Sequence, residues 1–160
     1  MSFSQEDPGP MHKSQPSLIQ ALLQAREAAL GFFRPLLNQY ELTEQQWRVI
    51  RILSQPRRDE LESHQLAEQA CILRPSLTGV LVRLERDGLV RRWKPANDRR
   101  RLCVSLTAKG VALFEEMSSE MTRLYKDIQR QFGAENFRTL MRLLQDLGKI
   151  DPAVPGGPSA

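Results

Sequence analysis

The hydrophobic period of this chain switches at Gly88 and switches back at Thr107, and that double change limits the fold more than any other feature. Before Gly88, apolar residues recur every three or four positions (Leu77, Val80, Leu81, Leu84), the spacing of a helix with one buried face. Proline suits the first turn of a helix, where its missing amide would be unpaired anyway, and glycine suits the residue after the end, where a left-handed backbone is cheapest. Pro75 and Gly88 therefore predict a helix over residues 75–87. Beyond Gly88 the runs "LVRRWKP" and "RLCVSLT" are short and rich in branched and aromatic side chains, and they flank "ANDRR", whose Asn97 and Asp98 favour a turn. The reading is a β-hairpin with arginines at its tip.

The flanking segments are helical. From Ser17 onward Leu18, Ile19, Leu22, Leu23, Ala29, Leu30, Phe33, Leu36 and Leu37 follow the helical spacing, with Pro35 expected to kink or interrupt the helix because it lacks an amide and crowds the preceding turn. In "LTEQQWRVIRIL", Thr43 and Gln46 predict a capping box, with Trp47, Ile50 and Leu53 facing inward. A loop at "SQPRRDE" follows, and Ser63 is expected to cap a short helix carrying Leu66, Ala67 and Ala70. Two short helices in tandem, the second basic, read as a helix-turn-helix, and a hairpin beside it is a wing. Thr107 should cap a long helix with a seam of Phe114, Met117, Met121, Leu124 and Ile128; Gly133 ends it, and Phe137, Leu140, Leu144 and Leu147 resume the pattern.

The expected class is mainly α with a small β-hairpin wing, a winged helix-turn-helix plus a helical dimerisation layer. Its divisions are a disordered tail over 1–16, a dimerisation helix over 17–40, the DNA-binding winged helix over 41–106, dimerisation helices over 107–150 and a disordered tail over 151–160. Met11 is a second candidate start within the first tail.

Charge supports this organisation. The 160 residues carry +4 overall, yet residues 74–101 hold nine cations (Arg74, Arg83, Arg86, Arg91, Arg92, Lys94, Arg99, Arg100, Arg101) against three anions, which is +6 and leaves −2 for the rest. Such polarisation is the footprint of a nucleic-acid binder. No apolar run approaches the ~20 residues of a membrane helix, and the N-terminus lacks the basic-then-apolar order of a signal peptide; a cytoplasmic protein with no membrane partner is expected. Cys71 and Cys103, with His12 and His64, lack metal-site spacing, so no metal or cofactor is expected, and both thiols are expected to be buried and inert. Without a Gly-rich phosphate loop, paired catalytic carboxylates or a nucleophile beside a base, the pattern does not suggest an enzyme.

On the helix beginning near Arg74, the side chains away from Leu77, Val80, Leu81 and Leu84 include Ser76, Thr78, Gly79, Arg83 and Arg86. Free amides at a helix start favour phosphate, while hydroxyls and arginines reach base edges, so these residues and Arg74 are the candidate major-groove contacts. In the wing, Asp98 and Arg100 are two residues apart, which in an extended strand places both on one face. The carboxylate can then aim the guanidinium into a minor groove, with Arg99 and Arg101 directed at phosphate.

The element order, together with "LRPSLTGVLVRLERDGLVRR" and "NDRRRLCVSLTAKG", resembles the MarR family of winged-helix repressors. "ALLQAREAALGFFRP", "LTEQQWRVIRIL" and "ACILRPSLTG" are similar to its branch that regulates homoprotocatechuate degradation. The resemblance implies a homodimer whose recognition helices enter successive major grooves and whose wings enter flanking minor grooves of a double-stranded operator. It also implies release by a small aromatic-acid effector, such as 3,4-dihydroxyphenylacetate or a related hydroxyphenylacetate. Mapped onto this chain, the effector pocket lies between the first helix and the one from Thr43, with Arg26 and Arg48 pairing with the carboxylate and Phe32, Phe33 and Trp47 as the aromatic wall. Two alternatives remain: a thiol switch at Cys71, beside the turn into the recognition helix, and a non-switching architectural or protein-interaction winged helix.

Overall fold

The computed structural model describes residues 17–55 and 60–153. The expected tail over 1–16, and the part of the C-terminal tail beyond residue 153, lie outside the described residues, as does most of the loop after Gln55. The element order is α1 (Leu18–Gln39), α2 (Glu44–Leu53), β1 (Leu61–Glu62), α3 (Ser63–Ala70), α4 (Arg74–Arg86), β2 (Val90–Trp93), β3 (Cys103–Leu106), α5 (Ala108–Phe132) and α6 (Ala134–Leu147).

Helix starts follow local chemistry. The Ser17 hydroxyl accepts from the Gln20 amide at 3.1 Å. At α2 the capping box is complete: the Gln46 amide donates to Thr43 Oγ1 at 3.1 Å and the Thr43 amide to Gln46 Oε1 at 2.8 Å. Two expectations are corrected. Ser63 does not cap α3; it is the first helical residue, and Glu62 is the cap, its amide held by Gln65 Oε1 at 3.1 Å. Pro35 does not interrupt α1, which runs through it as one helix. Proline removes only one intrahelical bond, and the turn beyond it is anchored by Leu36 and Leu37 in the core.

The sheet has three strands rather than the two of the expected hairpin, in the order β1-β3-β2, all antiparallel, with Glu62 and Trp93 both opposite Cys103. One core runs through the molecule, from Leu36 and Leu37 of α1 through Val49, Ile50, Leu66, Leu77, Leu81 and Leu84 to Val104, Met117 and Met121. The expected α5 seam is thus turned inward at its middle: Met117 and Met121 are buried and Phe114 and Leu124 pack on the same core. Unsatisfied apolar surface lies elsewhere. Helix α6 has no buried residue and exposes Leu140, Met141, Leu143 and Leu144, and α1 exposes Leu18, Ile19 and Leu23. Gly133, at φ +91°, separates α5 from α6.

Both cysteines were expected to be buried; Cys103 is, but Cys71 is exposed. Cys71 follows the last residue of α3 in a left-handed conformation, φ +51°, which turns its side chain outward at the helix end. That position is cheapest for glycine, so Cys71→Gly is expected to raise stability by about 1 kcal/mol, read as a higher urea midpoint with an unchanged slope. A lower midpoint would show that the thiol contributes packing that outweighs backbone relief.

Candidate nucleic-acid interface

Helix α4 is built as a presenting helix. Leu77, Val80, Leu81 and Leu84 are almost wholly buried, while Arg74, Ser76, Thr78, Val82, Arg83 and Arg86 face solvent. Its start precedes the expected one by a residue, at Arg74, and Gly88 follows its end at φ +74° as expected. Thr78 Oγ1 donates back to the Arg74 carbonyl at 3.2 Å and Arg83 Nε to the Gly79 carbonyl at 3.2 Å, so both side chains lie along the helix until something draws them off. Gly79 is half-exposed, and a Cβ there would meet Arg83 Nη2 at 3.5 Å, an ordinary contact. Arg86 Nε pairs with Asp87 at 3.1 Å. Leu73, which precedes α4 and is 79% exposed, carried no periodic signal and was not among the candidates.

The wing is locked to this helix. Glu85 of α4 accepts from Arg92 of β2 three times, from Nη2 at 2.9 Å, from the backbone amide at 3.2 Å and from Nε at 3.3 Å. The Arg92 hydrogen bond holds the Glu85 carboxyl below its ordinary value, so the link persists through neutral pH. On the other face of β2, Arg91 lies 4.5 Å over the Trp93 ring and donates to Ser105 at 3.3 Å.

At the tip, Asp98 and Arg100 lie in turns, not in the extended strand from which their common face was argued. They pair all the same. Asp98 Oδ1 accepts from both the Arg100 amide and Arg100 Nε at 3.1 Å, because a short carboxylate bonds naturally to the amide two residues on. Arg100 lowers the Asp98 carboxyl below its usual range through the side-chain bond first and the amide second. The Asp98 side chain is 31% exposed and that of Arg100 is 92% exposed, so the carboxylate sits at the base and the guanidinium projects. Arg99 is exposed. Arg101, expected to reach for phosphate, instead donates to Glu62 Oε1 at 2.6 Å and ties the wing root to β1. β1 is only two residues long and has no periodicity to betray it; its existence depends on β3, far away in the chain.

The five residues nominated for an effector separate into two groups. Arg26 and Arg48 both engage Glu44, Arg26 Nη2 at 3.1 Å and Arg48 Nε at 2.8 Å, and Arg48 also donates to the Ala70 carbonyl. Phe32, Phe33 and Trp47 are half-buried; Phe33 packs on Tyr125 with centroids 5.0 Å apart, and Trp47 stacks on Phe114 at 5.6 Å. A cation missed in the sequence sits among them. Arg51, one helical turn beyond Trp47, lies 5.3 Å over the Tyr125 ring and donates to its hydroxyl at 2.6 Å. The aromatic partner is 74 residues away in sequence, so only the fold reveals the pair. A cleft of about 650 Å³ between the end of α2, the sheet and the start of α5 includes Arg91 and Phe114 but none of the five nominated residues.

Among the described residues, no helix is long and apolar enough to cross a membrane, and no three His, Cys, Asp or Glu are grouped to hold a metal.

Residues 42–102 match the MarR family. The homoprotocatechuate degradative operon repressor of Escherichia coli is 52% identical over 130 residues, which span 81% of this chain and 86% of the relative. The solved structure of the transcriptional regulator PA4135 is 62% identical with a TM-score of 0.81, covering 86% of this chain and 100% of its own. That of NadR in complex with 4-hydroxyphenylacetate is 48% identical with a TM-score of 0.74, covering 89% and 99%. With its basic presenting helix, its wing and this degree of identity, the chain belongs to the MarR family: it is a winged-helix, DNA-binding transcriptional regulator and not an enzyme.

Proposed function

We propose that this regulator is a cytoplasmic, homodimeric repressor of an aromatic-acid catabolic operon, released from a pseudo-palindromic operator by a hydroxyphenylacetate-like effector. The observation that carries the effector class is the junction of α1, α2 and α5, where Arg51 lies over Tyr125 beside Phe33, and Trp47 stacks on Phe114. A guanidinium among aromatic rings suits a small molecule with a carboxylate at one end and a ring at the other. The bound 4-hydroxyphenylacetate of the relative with 48% identity supports this class. Arg51 is the residue we assign to the carboxylate, with Phe32, Phe33, Trp47 and Tyr125 around the ring. Arg26 and Arg48, expected in that role, are committed to Glu44: Arg26 ties α1 to α2, while Arg48 pairs within α2 and reaches the Ala70 carbonyl of α3.

Helices 17–40 and 107–150 form the dimerisation layer in this reading, and 41–106 the DNA-binding unit. The uncovered apolar faces of α1 and α6 support it. Arg74, Ser76, Thr78, Gly79, Arg83 and Arg86 would meet the major groove, with Arg99 on phosphate and Arg100, steadied by Asp98, in the minor groove. Two-fold symmetry calls for half-sites about one helical turn, ~10 bp, apart. Effector binding needs to favour the non-binding spacing of recognition helices by only about 1–3 kcal/mol for a 5- to 150-fold loss of affinity.

The test is fluorescence anisotropy with the DNA upstream of the protein's own gene, at two salt concentrations, before and after adding 3,4-dihydroxyphenylacetate or 4-hydroxyphenylacetate. Selective, salt-sensitive binding abolished by either acid is expected; equal binding to any duplex would favour an architectural role instead. Arg51→Ala is expected to keep DNA affinity and weaken the effector's grip ~10- to 100-fold, the worth of a hydrogen-bonded charge. Arg26→Ala should leave the response in place. The reverse result would return the carboxylate to Arg26.

A further inference from the structure

Beside the wing root lies a second cleft, of about 450 Å³, between the start of α3, the first turn of α4 and the wing. Its walls bring Ser63 and His64 against Arg74 and Thr78 on one side and Arg100 and Arg101 on the other. Three guanidiniums meet one carboxylate in the lining, Glu62, while a second, Asp98, pairs with Arg100 from outside it, and neither carboxylate is idle. Glu62 gives one oxygen to Arg101 Nε at 2.6 Å and the other to His64 Nδ1 at 3.3 Å, and Asp98 is taken by Arg100 at 3.1 Å. The cleft keeps one net positive charge, or two when His64 is protonated.

We propose that this cleft seats one backbone phosphate of the bound duplex, with His64 as a direct ligand and Glu62 as the positioning residue that orients His64 and Arg101. The inference rests on the DNA-binding reading above. Its geometric reason is that α4 and the wing are the elements assigned to neighbouring grooves, and the strand that separates a major from a minor groove is a phosphate backbone. Whatever fills the gap between helix and wing must therefore be phosphate and sugar. Its chemical reason lies in the imidazole. The Glu62 carboxylate 3.3 Å from Nδ1 favours a proton on that nitrogen, and a ring protonated on both nitrogens presents an N–H at Nε2 that donates to a phosphate oxygen, where an unprotonated Nε2 would present a lone pair. Ser63 and Thr78 add hydroxyls, and Arg74 and Arg100 add charge from the two flanks. The groups facing His64 are thus Glu62 of β1, Arg74 of α4, and Arg100 and Arg101 of the wing.

The experiment is operator binding by wild type, His64→Gln and His64→Arg at about pH 6 and about pH 8, the interval over which histidine changes charge, each across a range of salt. The His64 side chain is 46% exposed, so neither substitution should disturb the core. Wild-type affinity should rise ~3- to 10-fold toward the lower pH, as expected when binding takes up a proton. His64→Gln should lose that rise and, at about pH 6, flatten the salt dependence by about 0.9 log units per log unit of salt for each protomer. His64→Arg should bind as the protonated wild type does and be flat in pH. A His64→Gln protein with the wild-type pH profile and salt slope overturns the phosphate site alone. A wild type with no preference for operator overturns it together with the reading it rests on.

Discussion

Arg100→Ala is expected to weaken operator binding at least ~30-fold in the dimer, since each half-site loses a groove contact worth about 1–3 kcal/mol. The basis is the asymmetry at the wing tip: Arg100 projects almost fully into solvent while Asp98, which accepts from its amide and its guanidinium, sits half-covered below it. Held this way, the guanidinium gives up little rotamer freedom on entering a narrow groove. Asp98→Ala separates orientation from charge. Deleting a carboxylate beside DNA should strengthen binding if the tip is a mere cloud of charge, and should weaken it if Asp98 aims Arg100. We expect weakening of ~3- to 10-fold, the loss of one modest hydrogen-bonded constraint per protomer. Equal or tighter binding by the Asp98 variant, in the same anisotropy titration, would reduce the wing to a diffuse electrostatic contact.

Gly110→Ala is expected to be the most damaging small substitution in the chain for stability. A Cβ at Gly110 would stand 2.2 Å from the Leu89 carbonyl oxygen and 3.1 Å from Leu106 Cδ2, and the oxygen belongs to backbone that is itself bonded to the Thr107 amide at 3.0 Å. No side-chain rotation relieves a clash with main chain. Either α5 lifts from the sheet or the Gly88–Leu89 turn moves, and the Thr107 hydroxyl, which donates to the Gly88 carbonyl at 2.6 Å and accepts from the Gly110 amide at 3.1 Å, loses one partner or both. Overpacking of this kind costs about 1–3 kcal/mol or more, which for a chain of this size lowers the melting temperature by roughly 5–10 °C. The same variant should lose operator affinity beyond what unfolding explains, because the start of α5 is the joint between the proposed dimer layer and the wing. A melting temperature within a degree or two of wild type would show that the helix start tolerates a shift.

What could be read in the sequence was whatever is decided within a turn or two of chain. Thr43 and Gln46 cap α2, Gly88 ends the recognition helix and Thr107 begins α5, because each reports a backbone conformation or a bond to a near neighbour. The presenting face of α4 was legible for the same reason. Contacts chosen by tertiary structure were not. Glu62 carried no signal in the sequence, yet it caps α3, pairs in the sheet and gathers Arg101 and His64, all through partners that the fold supplies. Arg48 stands four residues from Glu44, a spacing at which a pair is expected, but spacing could not say that Glu44 would also take Arg26 from another helix, leaving Arg51 to meet Tyr125. Cys71 follows the general tendency of cysteine to be buried only until the helix end turns it outward. Pro35 met the local rule for a breaker, and the leucines after it in the core kept the helix whole.

The three bonds between Glu85 and Arg92 make the recognition helix and the wing strand one rigid piece. In the proposed complex this piece works as a ruler: the distance from the bases read by α4 to those touched by Arg100 is set within each protomer and does not stretch. An operator that drifts by insertion or deletion can then be followed only at the centre, between the two half-sites, where one protomer moves relative to the other. Inside a half-site, every change of length must be met by a change of sequence in the protein.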